Sequence, residues 1–134
     1  MTVQLIKNVP IIKADRKRHL LCGVVLEPET VDLQGQIYSA EEIEKAAHEF
    51  MEKYRNIGED HERPADAVPV QSYIAPIDIP VQDQVFKKGS WVMWVKVNNV
   101  DLWDAAEAGD YNSFSIGGYA NVAPASRKAH RHRG

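Results

Sequence analysis

Two serines late in the sequence could supply a nucleophilic hydroxyl. Ser113 and Ser115 stand on either side of Phe114, and the pair Gly117-Gly118 follows shortly after them. A serine attacks a carbonyl when a neighbouring base accepts its proton, and glycines let another backbone approach closely. The stretch therefore indicates either an ordinary strand edge or a site of acyl transfer, and the residue types alone do not separate the two serines.

The sequence around the serines does not match the nucleophile elbow of α/β-hydrolases. That motif reads GxSxG and lies between a strand and a helix. Here Ser113 occupies the position of the first glycine, and the residues after Ser115 favour a continuing strand. An α/β-hydrolase fold is excluded by this context and by the length of the chain.

A serine nucleophile needs a base, and His61 is the candidate among five histidines. It lies in the polar segment GEDHERPADA, which leads into a predicted strand, and such loops commonly position catalytic groups. A solvent-exposed loop histidine is the alternative interpretation. The others are predicted in a charged turn, on the polar face of a helix or near the chain end: His19, His48, His130 and His132.

The acidic residues around His61 do not predict a metal site. Consecutive side chains rarely all point at one ion, and no HxxxH or HExxH spacing is present. The cluster consists of Glu59, Asp60, His61, Glu62 and Asp66. We expect no functional metal, and 134 residues leave little room for a separate cofactor module, so no cofactor is expected either.

Cys22 is the only cysteine, which excludes an intrachain disulfide and a CxxC site. Its apolar surroundings, LLCGVV, predict a small buried residue and not a cysteine nucleophile. A reducing cytosol suits this usage, and no apolar run approaches the roughly 20 residues of a membrane span. We expect a soluble, intracellular protein without membrane contact.

Charge divides the chain into a body and a tail. The formal charge is -3, yet SRKAHRHRG at the end contains four of the 16 Lys and Arg residues and no acid. We predict one domain over residues 1–122 and a basic, flexible tail over 123–134. A solvated end is the favoured interpretation of the tail, and contact with nucleic acid or an acidic scaffold is the alternative.

The predicted elements are strands with two helices, an α+β class that is mainly β. Ser39 followed by Glu42 predicts a capped helix with an apolar stripe that Gly58 ends, and 100–108 predicts a second helix that begins near Asp101. Strands are predicted at 3–12, 19–26, 68–74, 90–97 and 113–122. We expect the first two to be neighbours and 90–97 to be central or nearly so. Pro69 predicts either that 68–74 lies at an edge or that the proline stands at the start of this strand.

Strand alternation predicts the orientation of the two serines. Phe114 and Ile116 share one face of the last strand, and Ser113 and Ser115 share the other. If the large apolar side chains enter the core, both serines look outward.

The ordered segments of the chain resemble a known family more specifically than any motif alone. VVLEPETVDLQGQIYSAEEIEKAAHEFM, then DHERPADAVPVQSYIAPID, then KKGSWVMWVKVNNVDLWDAAEAGDYNSFSIGGYA resemble the XkdF-like phage prohead proteases. These belong to the wider herpesvirus-assemblin-like group of capsid maturation serine proteases. The resemblance runs from about Cys22 to Ala120.

This resemblance implies a fold and a chemistry. It implies a small, mostly antiparallel β-barrel flanked by helices, with Ser115 as nucleophile and His61 as base. It also implies substrates, namely the phage scaffold, segments of the major capsid protein and the protease itself, cleaved inside the immature prohead in the host cytoplasm. Related viral proteases dimerise, so a homodimer is expected.

The chain departs from the family where a third catalytic partner is often found. Relatives continue past the SIGG strand, whereas few residues follow Ala120 here. The base could be oriented by Asp60, Asp78, His130 or His132, or the site could be a dyad, or the chain could be a truncated or autoprocessed form. A catalytically inactive capsid-assembly or scaffold-binding module with the same fold is the rival function.

Overall fold

The computed structural model describes residues 2–32, 35–58, 65–121 and 123–124. Within these ranges the chain is mainly β with two α-helices, so the predicted α+β class is confirmed. The helices are α1 (Ala40–Glu49), which continues into a π-helical turn at Phe50–Tyr54, and α2 (Val100–Glu107). The strands are β1 (Thr2–Pro10), β2 (Lys13–Asp15), β3 (Leu20–Leu26), β4 (Gln36–Ile37), β5 (Ile57–Gly58), β6 (Ala67–Ile74), β7 (Ile79–Val81), β8 (Gln84–Phe86), β9 (Trp91–Val97), β10 (Ser113–Asn121) and β11 (Ala123–Pro124).

The described strands form separate antiparallel sheets. One sheet has the order β1-β10-β5, and a larger one has the order β2-β3-β9-β6. Two small pairs, β11 with β4 and β7 with β8, complete the set. These sheets are not closed into a barrel, so the barrel that the resemblance implied is not confirmed.

The first two predicted strands belong to different sheets in the structure. They are neighbours, as expected, but they do not pair: β1 pairs with β10, whereas β3 pairs with β2 and β9. The two strands instead pack against each other at Gly23, where a Cβ would collide with the carbonyl oxygen of Pro10. The Ile12 amide then donates to the Cys22 carbonyl at 2.8 Å, so the chain passes from one sheet to the other just after Pro10.

The predicted positions of β9 and β6 are confirmed. β9 lies between β3 and β6, and β6 lies at the edge of this sheet, as Pro69 indicated. One face of β9 enters the main core, and the other contributes Val92 and Trp94 to a smaller apolar cluster with Cys22 and Phe86. The residues of β9 in the main core are Trp91, Met93, Val95 and Val97.

The capped helix forms as predicted, but it ends earlier than predicted. The Ser39 hydroxyl accepts a hydrogen bond from the Glu42 amide at 3.1 Å. The π-helical turn ends at Arg55, whose φ of 50° is left-handed and whose amide donates to the Phe50 carbonyl. Gly58 is therefore not the helix stop, since it belongs to β5.

The second helix also forms where predicted. Its N-cap is Asn99, whose side-chain oxygen accepts from the Leu102 amide at 3.0 Å, and Asp101 lies in the first turn as expected. Gly109 follows the helix with a φ of 85°, a conformation that favours glycine. Trp103 of this helix is buried against the core.

The main core lies where the two larger sheets meet α1. Ile43, Ala46 and Ala47 of α1 are buried, and Phe50 packs edge to face on Trp91 with ring centroids 5.6 Å apart. Phe114 and Ile116 of β10 join the same cluster. This burial fixes the orientation of β10, which contains both candidate serines.

None of the helices in the described ranges has the length and apolar character needed to cross a membrane. The predicted tail lies outside the described residues except for Ala123 and Pro124, which form β11.

Candidate active site

Ser115 lies on the middle strand of its sheet. Its Cα partner on one side is Asn8 of β1, and its partner on the other side is Gly58 of β5. The neighbouring positions, Phe114 and Ile116, are 0% and 2% exposed. The regular register from Ser113 to Asn121 keeps the alternation intact, so the side chains at 113 and 115 point away from the main core as predicted.

Pointing away from the main core does not expose Ser115 to solvent, as the prediction that both serines look outward had implied. Ser115 is 3% exposed, whereas Ser113 is half-buried. Ser115 has described strand partners on both sides, in β1 and in β5, whereas Ser113 has a described partner only in β1, at Pro10. A peptide carbonyl reaches the Ser115 hydroxyl only if the surroundings of this residue leave or open a path.

His61 lies outside the described residues, as do Glu59, Asp60 and Glu62. The described residues that border this segment are Gly58 and Ala65. Gly58 is the direct partner of Ser115, and the Ala65 amide donates to the Ile57 carbonyl at 3.0 Å. Both ends of the segment are therefore anchored at β5, on the side of β10 where Ser115 pairs.

Tyr111 links β5 to the segment before β10, and it was not singled out from the sequence. Its hydroxyl donates to the Gly58 carbonyl at 3.3 Å, and its amide donates to the Ala105 carbonyl of α2. The side chain thus links the connection between α2 and β10 to the strand opposite Ser115. Asn8 was missed for a similar reason, since only the register of β1 against β10 brings it beside Ser115.

Cys22 is a buried thiol, as predicted. It is 0% exposed, and burial raises its pKa to about 12 despite the opposing charge of Lys13. Because the thiolate is the reactive form, this environment is unsuited to a cysteine nucleophile.

The remaining candidates have structural roles where they are described. The Asp78 carboxylate accepts a hydrogen bond from the Lys88 amide at 2.8 Å, which ties together the ends of the β7–β8 hairpin. His19 stacks on Trp103 with ring centroids 4.5 Å apart, and His48 is exposed on α1. His130 and His132 lie outside the described residues. Within the described ranges, no group of three or more His, Cys, Asp or Glu side chains could hold a metal ion.

Comparison with known proteins gives a consistent family. The sequence model of the family described as "Putative phage serine protease XkdF" matches residues 8–124. The protein named "Uncharacterized protein YqbD" of Bacillus subtilis (strain 168) is 36% identical over 117 residues, which cover 87% of this chain and 36% of that protein. The "Phage-like element PBSX protein XkdF" of the same organism is 36% identical over 107 residues, which cover 79% of this chain and 38% of that protein.

The chain thus spans little more than a third of the length of these relatives. No solved structure matches it.

Proposed function

Because this chain belongs to the family described as "Putative phage serine protease XkdF", we propose that it is a serine endopeptidase with Ser115 as nucleophile and His61 as general base. The single observation that carries the proposal is the pairing of Ser115 with Gly58. Directly paired Cα atoms in antiparallel strands lie about 4.5–5.5 Å apart, and three further peptide units reach at most about 11 Å. The segment that contains His61 therefore begins beside Ser115, which supports the proposed combination of the two residues.

The proposed reaction proceeds through an acyl-enzyme. His61 takes the proton from the Ser115 hydroxyl while its oxygen attacks the peptide carbonyl carbon, which gives a tetrahedral oxyanion. The oxyanion collapses, the C–N bond breaks, and His61 returns the proton to the leaving amine. Water then attacks the ester with the same base, and the serine is regenerated. Backbone amides near Gly117 and Gly118 are the candidates for stabilising the oxyanion.

Four residues are candidates for the partner that orients the His61 side chain. Asp78, the only one of the four among the described residues, accepts a hydrogen bond from the Lys88 amide within its own hairpin. Asp60 is next to His61 in the sequence, and His130 and His132 are the candidates from the tail. A dyad without a third residue is the alternative.

We propose phage assembly as the biological setting. The substrates would be segments of the scaffold and of the major capsid protein, and the protease itself, cut inside the immature prohead within the host cytoplasm. The support is the phage description of the family and of one relative. A homodimer is proposed by analogy with related viral proteases, and light scattering of the purified protein would measure it.

The decisive experiment compares two serine variants. The wild type, Ser115→Ala and Ser113→Ala are each coexpressed with the phage's scaffold and capsid proteins, and cleavage is followed by mass spectrometry. We expect cleavage by the wild type and by Ser113→Ala and none by Ser115→Ala. Equal cleavage by all three would show that Ser115 is not the nucleophile.

A second candidate function is a catalytically inactive assembly or scaffold-binding module. The 3% exposure of Ser115 favours it, because a nucleophile must be reached by its substrate. A fluorophosphonate, which reacts with activated serines, separates the two functions without a known substrate. Covalent modification at Ser115, located by peptide mass spectrometry, supports the protease, whereas an unmodified native protein supports the inactive module.

A further inference from the structure

A groove lies beside β1, on the side away from β10. Its cavity volume is about 280 Å³, close to the lower limit of ordinary ligand pockets, which is about 300 Å³. We call it the β1–β3 groove, and it is defined by Lys7, Asn8, Val24, Val31, Asp32 and Tyr38. Such a volume suits one or two side chains.

Divergence of two strands creates the groove. β1 and β3 pack tightly at Gly23, and from there β1 joins the sheet of β10 while β3 stays with β9. In the described part of the chain β1 pairs only with β10, and β2 covers β3 only from Leu20 to Cys22. Among the described residues, no strand pairs with the second edge of β1 or with this edge of β3 beyond Cys22.

The groove has apolar walls and a polar end. Val24 and Val31 line it, and Val31 is 55% exposed at its mouth. At the polar end the Lys7 ammonium lies 3.4 Å from an Asp32 carboxylate oxygen, and the other oxygen of Asp32 accepts the Gln36 amide at 2.9 Å. Burial and the nearby Asp32 raise the pKa of Tyr38 to about 12, so its hydroxyl stays neutral. The free apolar surface thus suits an aliphatic side chain.

Asn8 connects the groove to the candidate nucleophile. It lines the groove and is the direct partner of Ser115. Directly opposed residues share a face of the sheet, and neighbouring strands lie about 4.8 Å apart. Reaching from Ser115 across β1 into the groove therefore requires about 10 Å, which is about three residues of extended peptide.

We infer that the β1–β3 groove is the specificity pocket for an extended peptide substrate, and that it receives an aliphatic side chain about three residues from the scissile bond. This inference rests on the proposed protease function. Asn8 then contacts the substrate backbone between the pocket and Ser115.

Binding is tested first, independently of catalysis. The probes are pools of acetylated pentapeptide amides with leucine or aspartate fixed at one position, added to isotope-labelled Ser115→Ala protein and followed by NMR. We expect the leucine pool to shift the amide signals of Lys7–Val9 and Val24–Leu26, and the aspartate pool to bind at least about tenfold more weakly. Shifts elsewhere, or no shifts with any pool, overturn the inference.

A pair of matched variants then tests the pocket itself. Val31→Arg places a charge at the mouth of the β1–β3 groove. Val85→Arg places the same charge on β8, at a valine that is 54% exposed and does not line the groove. We expect Val31→Arg to weaken leucine-pool binding by at least about tenfold and Val85→Arg to leave it unchanged. Equal binding by both variants overturns the pocket.

Cleavage separates this inference from the function on which it rests. In wild-type digests we expect aliphatic residues to be enriched about three positions from the cut, and Val31→Arg to lose that enrichment. Cleavage without this preference would contradict the specificity pocket but not the proposed protease function. Peptides that bind the groove but are not cut would contradict the protease function, and the groove would then be a peptide-binding site only.

Discussion

Ser115 and Gly58 lie directly opposite each other in the pairing of β10 with β5. The adjacent pair, Ile116 with Ile57, is buried in the main core, so the face that Ser115 and Gly58 share is the opposite one. The position next to the candidate nucleophile is therefore occupied by a residue without a side chain. A substrate carbonyl that approaches Ser115 gains the space that a Cβ at position 58 would fill.

A side chain at position 58 is expected to block the Ser115 hydroxyl. In Gly58→Val the new methyl groups would stand beside Ser115, and small displacements of reacting groups cost up to about a hundredfold in rate. We expect fluorophosphonate modification of Ser115 to slow by at least about tenfold.

The control for Gly58→Val is stability. Urea unfolding of the variant should give a midpoint close to that of the wild type, because valine is well tolerated in strands. A folded variant that is modified as fast as the wild type would contradict the proposed approach to Ser115.

Local patterns predicted the elements that depend on neighbours in the sequence. The Ser39 cap and the stripe on α1 follow from spacings within one element, and the structure has both. The resemblance to XkdF-like proteases, based on ordered motifs, is confirmed by the family match.

Pairing between distant segments could not be predicted in the same way. Gly58 follows a helix, so it was taken as the helix stop, although Arg55 adopts the left-handed conformation that ends the helix. The position of Ser115 between β1 and β5 depends on pairing with distant segments, and closure of the sheets depends on which partner β1 takes. Neither property leaves a periodic signal in the sequence.

Removal of the α1 cap should destabilise the fold. Ser39→Ala loses the hydrogen bond from the Glu42 amide, and N-cap losses typically cost about 1 kcal/mol. We expect the free energy of unfolding in urea to fall by about that amount. Ser39→Asp is the matched control, since its carboxylate also accepts at an N-cap and should retain most of the stability.

Gly23→Ala should destabilise the junction between the two larger sheets. The added Cβ would meet the carbonyl oxygen of Pro10, which is backbone and cannot rotate away. Overpacking of this kind typically costs about 1–3 kcal/mol, and we expect a loss in that range by urea unfolding. The variant should also weaken leucine-pool binding if β1 and β3 must stay close to shape the groove. If Gly23→Ala unfolds at the same urea concentration as the wild type, the contact between β1 and β3 relaxes without loss of stability, and the prediction is wrong.

The Cys22 thiol should be protected from thiol reagents by the native fold. Burial raises its pKa from 9.0 to about 12, so at pH 8 the native thiolate fraction is about a thousandfold lower than in the unfolded chain. We expect reaction with a disulfide reagent to be at least about a hundredfold slower in the native protein than in guanidinium chloride.

The raised pKa of Cys22 also makes the stability of the fold depend on pH. Above about pH 9 the unfolded thiol ionises while the folded thiol does not. This contribution to the free energy of unfolding is therefore present below pH 9 and is lost as the pH rises towards 12. Cys22→Ala should therefore lose less of its unfolding free energy than the wild type between pH 8 and about pH 10.5, and equal losses in the two proteins would contradict a thiol held neutral by burial.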